Sequence, residues 1–236
     1  MKKPEMDKLM NLKRDIRFEA KNDNEYKLSI YGSIGGWFSE NNAESVRRKV
    51  QDVKAEKIHV HINSGGGSAF DGVAICNMLK NHDAKIIIHV DGWAASAASA
   101  IAMAGDKIIM PSNTMMMIHQ ASTFEYGNAD DFEKVAKDLR KIDSALAASY
   151  KPRFVGTDEE LKQLLKDETW LTAEEAVALG LADEVADEIE IDDTQEEEEE
   201  VENLKDDLVE KYAARANENK EEPEQQPIQN KNDWLF

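Results

Sequence analysis

Lys57-Ile58-His59-Val60-His61-Ile62-Asn63 alternates polar and apolar residues as a strand does, and Ser64-Gly65-Gly66-Gly67-Ser68 follows it without a break. The run from Phe70 to Asn81 then reads as the helix behind that strand. Strand, glycine loop and helix form a layout that turns backbone N–H groups toward an anion, a phosphate or an oxyanion. Toward the N-terminus, Tyr26 to Tyr31 alternates again and ends at Gly32, and Ala43 to Val53 has helical character. Toward the C-terminus, Lys85 to Val90 is an isoleucine-dense run that predicts a buried strand, turned by Asp91-Gly92. Ala94 to Ala104 predicts a small-residue helix ended by Gly105, and Lys107 to Met110 and Thr114 to His119 two more short strands. This alternation of elements predicts an α/β domain whose sheet is covered by helices.

The longest helix is expected over Asn128 to Tyr150, capped by Asn128 and stopped before Pro152. Phe132, Val135, Leu139, Ile142, Leu146 and Tyr150 follow one another at steps of three and four, a narrow stripe close to a heptad seam. Such a stripe serves either the protein's own core or an oligomer contact. Asp158 to Lys166 and Ala173 to Leu179 are shorter helices, the latter capped by Thr172 and closed by Gly180.

The 236 residues suffice for one domain of about 150 to 200 residues plus flanking segments. Residues 1–24 read as a mixed-charge leader, 25–186 as the domain and 187–236 as an acidic, largely disordered tail. The net charge of −19 is mostly a property of that tail, which holds 19 acidic against 5 basic residues. Its charge repels phosphates and argues against nucleic-acid binding there. Within the tail, Val201, Leu204, Leu208 and Tyr212 fall on one helical face, and the terminal Trp234-Leu235-Phe236 could dock. Cys76 is the single cysteine and lies in an apolar run, so an intrachain disulfide is excluded and a reducing cytoplasm fits. No signal-peptide core follows Lys2 and Lys3, and no apolar run reaches the ~18 residues of a membrane span.

Three weak signals carry the chemistry. Ser96, in Gly92-Trp93-Ala94-Ala95-Ser96-Ala97, stands where a strand becomes a helix, and its small neighbours leave room for a substrate backbone. His119 ends an apolar strand and is followed by Gln120, Ser122 and Thr123, so its imidazole can stand at the rim of a site. His59, His61, His82 and His89 read as structural by contrast. Gly65, Gly66 and Gly67 can aim backbone N–H groups into a cleft. A nucleophile, a base and oxyanion donors together suggest a serine peptidase. Neither a P-loop pattern nor a His-Glu-x-x-His metal spacing occurs, and no cofactor is implied.

Between about Tyr26 and Val185 the chain resembles the proteolytic-subunit family of the Clp protease, particularly its prophage-type relatives. The resemblance rests on Ile62-Asn63-Ser64 with its glycines, Phe70-Asp71-Gly72, Gly92 to Ser96, Ala104-Gly105 and Met117-Ile118-His119-Gln120. Leu171-Thr172-Ala173-Glu174-Glu175-Ala176 through Gly180-Leu181-Ala182-Asp183 completes it. It implies a Clp-protease/crotonase-like stacked ββα superhelix with a protruding handle helix at Asn128 to Tyr150. It also implies Ser96 as nucleophile, His119 as general base, and the backbone N–H groups of Gly67 and Ala97 as oxyanion hole. The third catalytic residue, an Asp in the family, falls on Glu168, with Asp167 beside it as the alternative. A further departure is Gly65 where the family has proline, which frees a fixed φ.

As partners the resemblance implies other copies of the chain in stacked heptameric rings, peptide or unfolded-protein substrates and a separate AAA+ ATPase. Prophage-type relatives imply capsid or scaffold proteins instead. Two other readings remain: an acyl-CoA enzyme of the crotonase superfamily, which would not need Ser96 or His119, and a catalytically silent assembly or scaffold protein.

Overall fold

The computed structural model describes residues 17–22, 24–35 and 41–186. The expectations for the acidic tail, its amphipathic segment and its terminal Trp-Leu-Phe lie outside these residues. The elements run β1 (Arg17–Ala20), β2 (Glu25–Ile34), α1 (Ala43–Val50), β3 (Lys57–Gly67), α2 (Ala69–Lys80), β4 (Lys85–Ala95), α3 (Ala97–Ala102) and β5 (Lys107–Met110). After these come β6 (Met115–Ile118), α4 (Ala129–Tyr150), α5 (Asp158–Lys166), β7 (Thr169–Leu171), α6 (Ala173–Ala178) and β8 (Glu184–Val185).

Along the sheet the order is β1-β2-β3-β4-β5-β8, with β6 pairing β4 and β7 pairing β6. Strands β2 to β5 and β8 are parallel, while β1 on β2 and β7 on β6 are antiparallel. Strand β4 is long enough to serve two neighbours in succession. Ile87–His89 pair with β5, and Trp93–Ala95 pair with β6. The sheet therefore forks along β4, and the serine turn lies just past the fork.

One face carries the core. Leu28, Ile30, Ile58, Val60, Ile62, Ile86, Ile88 and Val90 are buried beneath the helices, and burying each such side chain stabilises the fold by roughly 1.5–3 kcal/mol. The opposite face is only partly covered. Tyr31, His59, His61, Ile87, His89 and Asp91 are half-buried or exposed, so the isoleucine run of β4 is buried on one face and not on both.

Three sequence expectations change at the glycines. Strand β3 does not stop at Asn63 but runs through Gly67, pairing Ser33 with Gly66 and Ile34 with Gly67 after a bulge. Ser64 Oγ holds that extension by donating to the Gly32 carbonyl and accepting from Gly66 N–H at 3.0 Å. Asp91-Gly92 is not a turn either. A Cβ on Gly92 would lie 2.7 Å from Asn63 Oδ1, so this glycine admits a neighbouring strand's side chain. Helix α3 is also shorter than expected, because Ser96 breaks the helical conformation before it starts.

The caps at Asn128 and Thr172 agree with expectation, and Thr157 adds a third of the same kind. Asn128 caps α4 in a reciprocal box with Asp131, Thr157 caps α5 with Glu160, and Thr172 caps α6 with Glu175. Each cap satisfies orphan N–H groups and contributes about 1 kcal/mol. The handle stripe divides. Leu146 and Tyr150 are buried in the core, whereas Phe132 is 52% exposed. Cys76 is buried, and burial pushes its thiol pKa up, as expected of an inert side chain.

Candidate active site

Ser96 joins β4 to α3 with φ 56° and ψ −123°. A non-glycine residue in that region costs on the order of 1–3 kcal/mol and persists only where its surroundings dictate it. Gly66 is the nearest of those surroundings. A Cβ there would lie 2.6 Å from Ser96 Cβ and the Ala95 carbonyl oxygen, and 2.9 Å from Ala97 N. The glycine strand thus lies flat against the serine turn. Ser96 N–H donates to the Met117 carbonyl at 2.9 Å, tying the same turn to β6.

The Ser96 side chain does not cap α3. Its Oγ lies 2.7 Å from His119 Nε2. The structural bonding falls to Ser99, whose Oγ donates to the Ser96 carbonyl at 2.7 Å and lies 2.9 Å from the Tyr150 hydroxyl. His119 is the first residue beyond β6, half-buried. Beyond it, Gln120 N–H donates to the Leu165 carbonyl at 2.9 Å and Ala121 N–H to Asp143 Oδ1 at 2.7 Å.

Both residues open on a cavity of about 270 Å³. Gly67 and Ala97, the expected oxyanion donors, line it, together with the apolar Phe70, Leu139, Ile142 and Leu146. Ala97 is the first residue of α3, so its N–H has no acceptor within the helix. A hydroxyl, an imidazole and such an N–H beside one cavity can perform nucleophilic attack with general-base assistance. The small residues signalled this arrangement in the sequence. Strain at Ser96 had no such signal, since only the packed turn produces it.

The model of the Clp protease family matches residues 34–189, a span that contains β3, the serine turn, β6, the handle and β7. The chain belongs to the Clp protease family. It is 33% identical over 135 residues to the ATP-dependent Clp protease proteolytic subunit of Deinococcus radiodurans, covering 56% of this chain and 66% of that relative. ATP-dependent Clp protease proteolytic subunit 3 of Rhizobium etli is 32% identical over 136 residues, covering 55% and 68%. The corresponding protein of Rhizobium johnstonii matches to the same extent. The chain thus spans about two thirds of the length of these relatives.

The two candidate acids are not brought to His119. Pairing of β6 with β7 sets Met116 against Leu171, Met117 against Trp170 and Ile118 against Thr169. The pairing ends there: Glu168 is the residue before β7, as His119 is the residue after β6. Glu168 has a left-handed φ of 50° at the junction of α5 and β7 and is exposed. Asp167, one residue earlier, accepts from Gln163 Nε2 at 2.9 Å. Among the described residues neither carboxylate hydrogen-bonds His119.

The remaining histidines are engaged elsewhere. His82 bonds the Val50 carbonyl at 3.0 Å and accepts from Ala84 N–H at 3.0 Å, fixing the turn after α2. His59 Nδ1 lies 2.9 Å from His89 Nε2, and His61 Nδ1 lies 2.9 Å from Asp91, which also accepts from the Tyr31 hydroxyl. These side chains stack on the partly covered face of the sheet, His61 on His89 at 4.6 Å. Among the described residues no group of three or more His, Cys, Asp or Glu could hold a metal ion.

Proposed function

We propose that this Clp-family chain is a serine endopeptidase with Ser96 as nucleophile, His119 as general base and Glu168 as the orienting acid. The observation that carries the reading is the 2.7 Å approach of His119 Nε2 to the Oγ of a backbone-strained Ser96 on a cavity wall. In the acylation step the Ser96 oxygen attacks a peptide carbonyl while His119 takes its proton. The tetrahedral oxyanion sits against the N–H groups of Gly67 and Ala97, each worth on the order of 10²- to 10³-fold. His119 then gives the proton to the departing amine, and a water, deprotonated in turn by His119, releases the acid. Glu168 is favoured over Asp167 because it directly precedes β7, the strand paired with β6 that leads to His119, while Asp167 is bonded to Gln163.

The apolar cavity side formed by Phe70, Leu139, Ile142 and Leu146 supports cleavage beside apolar side chains. Such residues are accessible in unfolded chains, or in capsid and scaffold proteins if the gene is phage-derived. The half-exposed handle stripe and the relatives' name, a proteolytic subunit that is ATP-dependent, support ring self-assembly with a separate AAA+ ATPase in the cytoplasm. Among the described residues no helix is long and apolar enough to cross a membrane.

A fluorophosphonate probe tests the reading directly. The assembled wild type should be labelled stoichiometrically and Ser96→Ala not at all, with peptide hydrolysis lost in parallel. An unlabelled wild type would favour the crotonase-like or scaffold alternatives.

A further inference from the structure

Helix α4 reaches both halves of the Ser96–His119 pair. At Asp143, Oδ1 accepts from Ala121 N–H at 2.7 Å, two residues beyond His119. Seven residues later the Tyr150 hydroxyl lies 2.9 Å from Ser99 Oγ, which itself donates to the Ser96 carbonyl at 2.7 Å. A separation of seven residues is two helical turns, so both contacts leave one side of α4, about 10 Å apart along its axis. Leu146 and Ala147 between them are buried, which fixes that stretch of helix in the core.

The base-bearing segment leaves regular structure after Ile118, its last ladder residue. From there, besides the bond of His119 itself to Ser96, two backbone N–H groups anchor it: Gln120 N–H to the Leu165 carbonyl, and Ala121 N–H to Asp143. The first joins backbone to backbone. The second is the one in which a side chain is the acceptor, and a charged acceptor makes a shorter, stronger bond than a neutral one.

We propose that Asp143 is a positioning residue for His119 and that, with Tyr150, it sets the spacing of base and nucleophile through α4. The proposal rests on the reading of Ser96 and His119 as nucleophile and base. Asp143 touches no reacting atom; it acts through the Ala121 backbone. Tyr150 acts through Ser99: because the Ser99 hydroxyl donates to the Ser96 carbonyl, the Tyr150 hydroxyl is the donor between the two. A displacement near 1 Å between reacting groups costs about 10²-fold in rate, so a modest slackening of this frame is measurable.

The test measures the rate of fluorophosphonate acylation against pH, with kcat and KM on a short fluorogenic peptide, in the assembled full chain. Asp143→Ala should lower both the labelling rate and kcat by about tenfold, with KM within about twofold and the pH midpoint unchanged. Asp143→Asn keeps an oxygen acceptor and should recover most of that loss. Tyr150→Phe removes one oxygen while keeping the ring in the core and should lower labelling by about threefold.

Labelling of Asp143→Ala at the wild-type rate overturns the proposal. So does an Asp143→Asn variant as slow as Asp143→Ala with a shifted pH midpoint, which would make the charge and not the bond the active feature. If Asp143→Ala fails to assemble, an undiminished rate in Tyr150→Phe overturns the coupling through α4. A wild type that is not labelled at all defeats instead the reading of Ser96 and His119 on which the proposal rests.

Discussion

Where β4 and β6 end, one histidine bonds one serine on the wall of a cavity; in the middle of β3 and β4, three histidines mostly face one another. Both groups stand on the same sheet, and the chain supplies the same side chain to each. The difference lies in what each imidazole is bonded to and what lies beside it. His59 and His89 share a 2.9 Å contact and His61 is held by Asp91, while His59 Nε2 is buried without a hydrogen-bond partner among the described residues, so that cluster is bonded within itself and offers no hydroxyl to activate. His119 bonds Ser96 alone among the described side chains and shares a cavity with it. What sets His119 apart is a hydroxyl partner on a cavity wall, with Gly67 of β3 lining the same cavity and Gly66 packed against the serine turn.

The largest effect expected from breaking that contrast comes from Gly66→Ala. Its φ is 90°, and the new Cβ would meet the Ala95 carbonyl and Ser96 Cβ at 2.6 Å, contacts that no side-chain rotation relieves. Backbone strain and overpacking should each cost about 1–3 kcal/mol. Fluorophosphonate labelling should fall by more than about 100-fold as the serine turn shifts. Gly65→Ala is the control, because there the Cβ meets the ring edge of Trp93 at 2.9 Å, and Trp93 is 40% exposed and can move. Gly65 also lacks a positive φ, so alanine should leave labelling within about threefold and trim unfolded-state entropy. Equal damage at both glycines would show that the site tolerates neither and would remove the distinction between them.

A smaller effect separates the candidate acids. Glu168→Gln should lower kcat on the order of 10²-fold by withdrawing the charge that orients and balances the imidazolium. Asp167→Asn should stay within about threefold, because its carboxylate already bonds Gln163 Nε2 and an amide oxygen can replace it there. The reverse ranking, read from kcat on a peptide substrate, would transfer the role to Asp167.

These residues also show how far the sequence could be read. Alternation in Lys57 to Asn63 and the caps at Asn128 and Thr172 act through nearest neighbours, and the corresponding elements start where expected, β3 running on to Gly67. Ser96 and His119, whose side chains the fold brings to 2.7 Å, could be singled out because small residues and a strand end are local features too. Gly92 misled for a non-local reason: the glycine is required by Asn63 on the next strand, not by a chain reversal. The pairing partners β1, β7 and β8 hold four, three and two residues, too few for a period to show. Tyr150 belongs to the handle stripe, but no spacing in the chain marks its bond to Ser99 or that of Asp143 to Ala121, because both are made across the fold. The choice of acid depends on how Glu168 leaves α5, which its left-handed backbone decides.

The smallest effect sharpens the comparison from its other side. His89 faces His59, His61 and Asp91, with Lys21 contributing nearby charge, and burial first and then the two histidines hold its pKa down to about 4. Its ordinary value is 6.5. Between those values the unfolded chain binds a proton that the folded chain refuses. Stability therefore falls as pH drops from about 6.5 toward about 4, and it is fully retained above that window. The half-exposed position screens the effect to about 1 kcal/mol, or about 3 °C in Tm. His89→Gln can still bond His59 Nδ1 and should flatten the fall in Tm on acidification while leaving labelling of Ser96 at pH 7 unchanged, since none of the three clustered histidines lines the cavity. An undiminished acid slope in that variant would mean the cluster is not what destabilises the fold in acid, and a slowed labelling rate would mean the two histidine groups are coupled through the sheet they share.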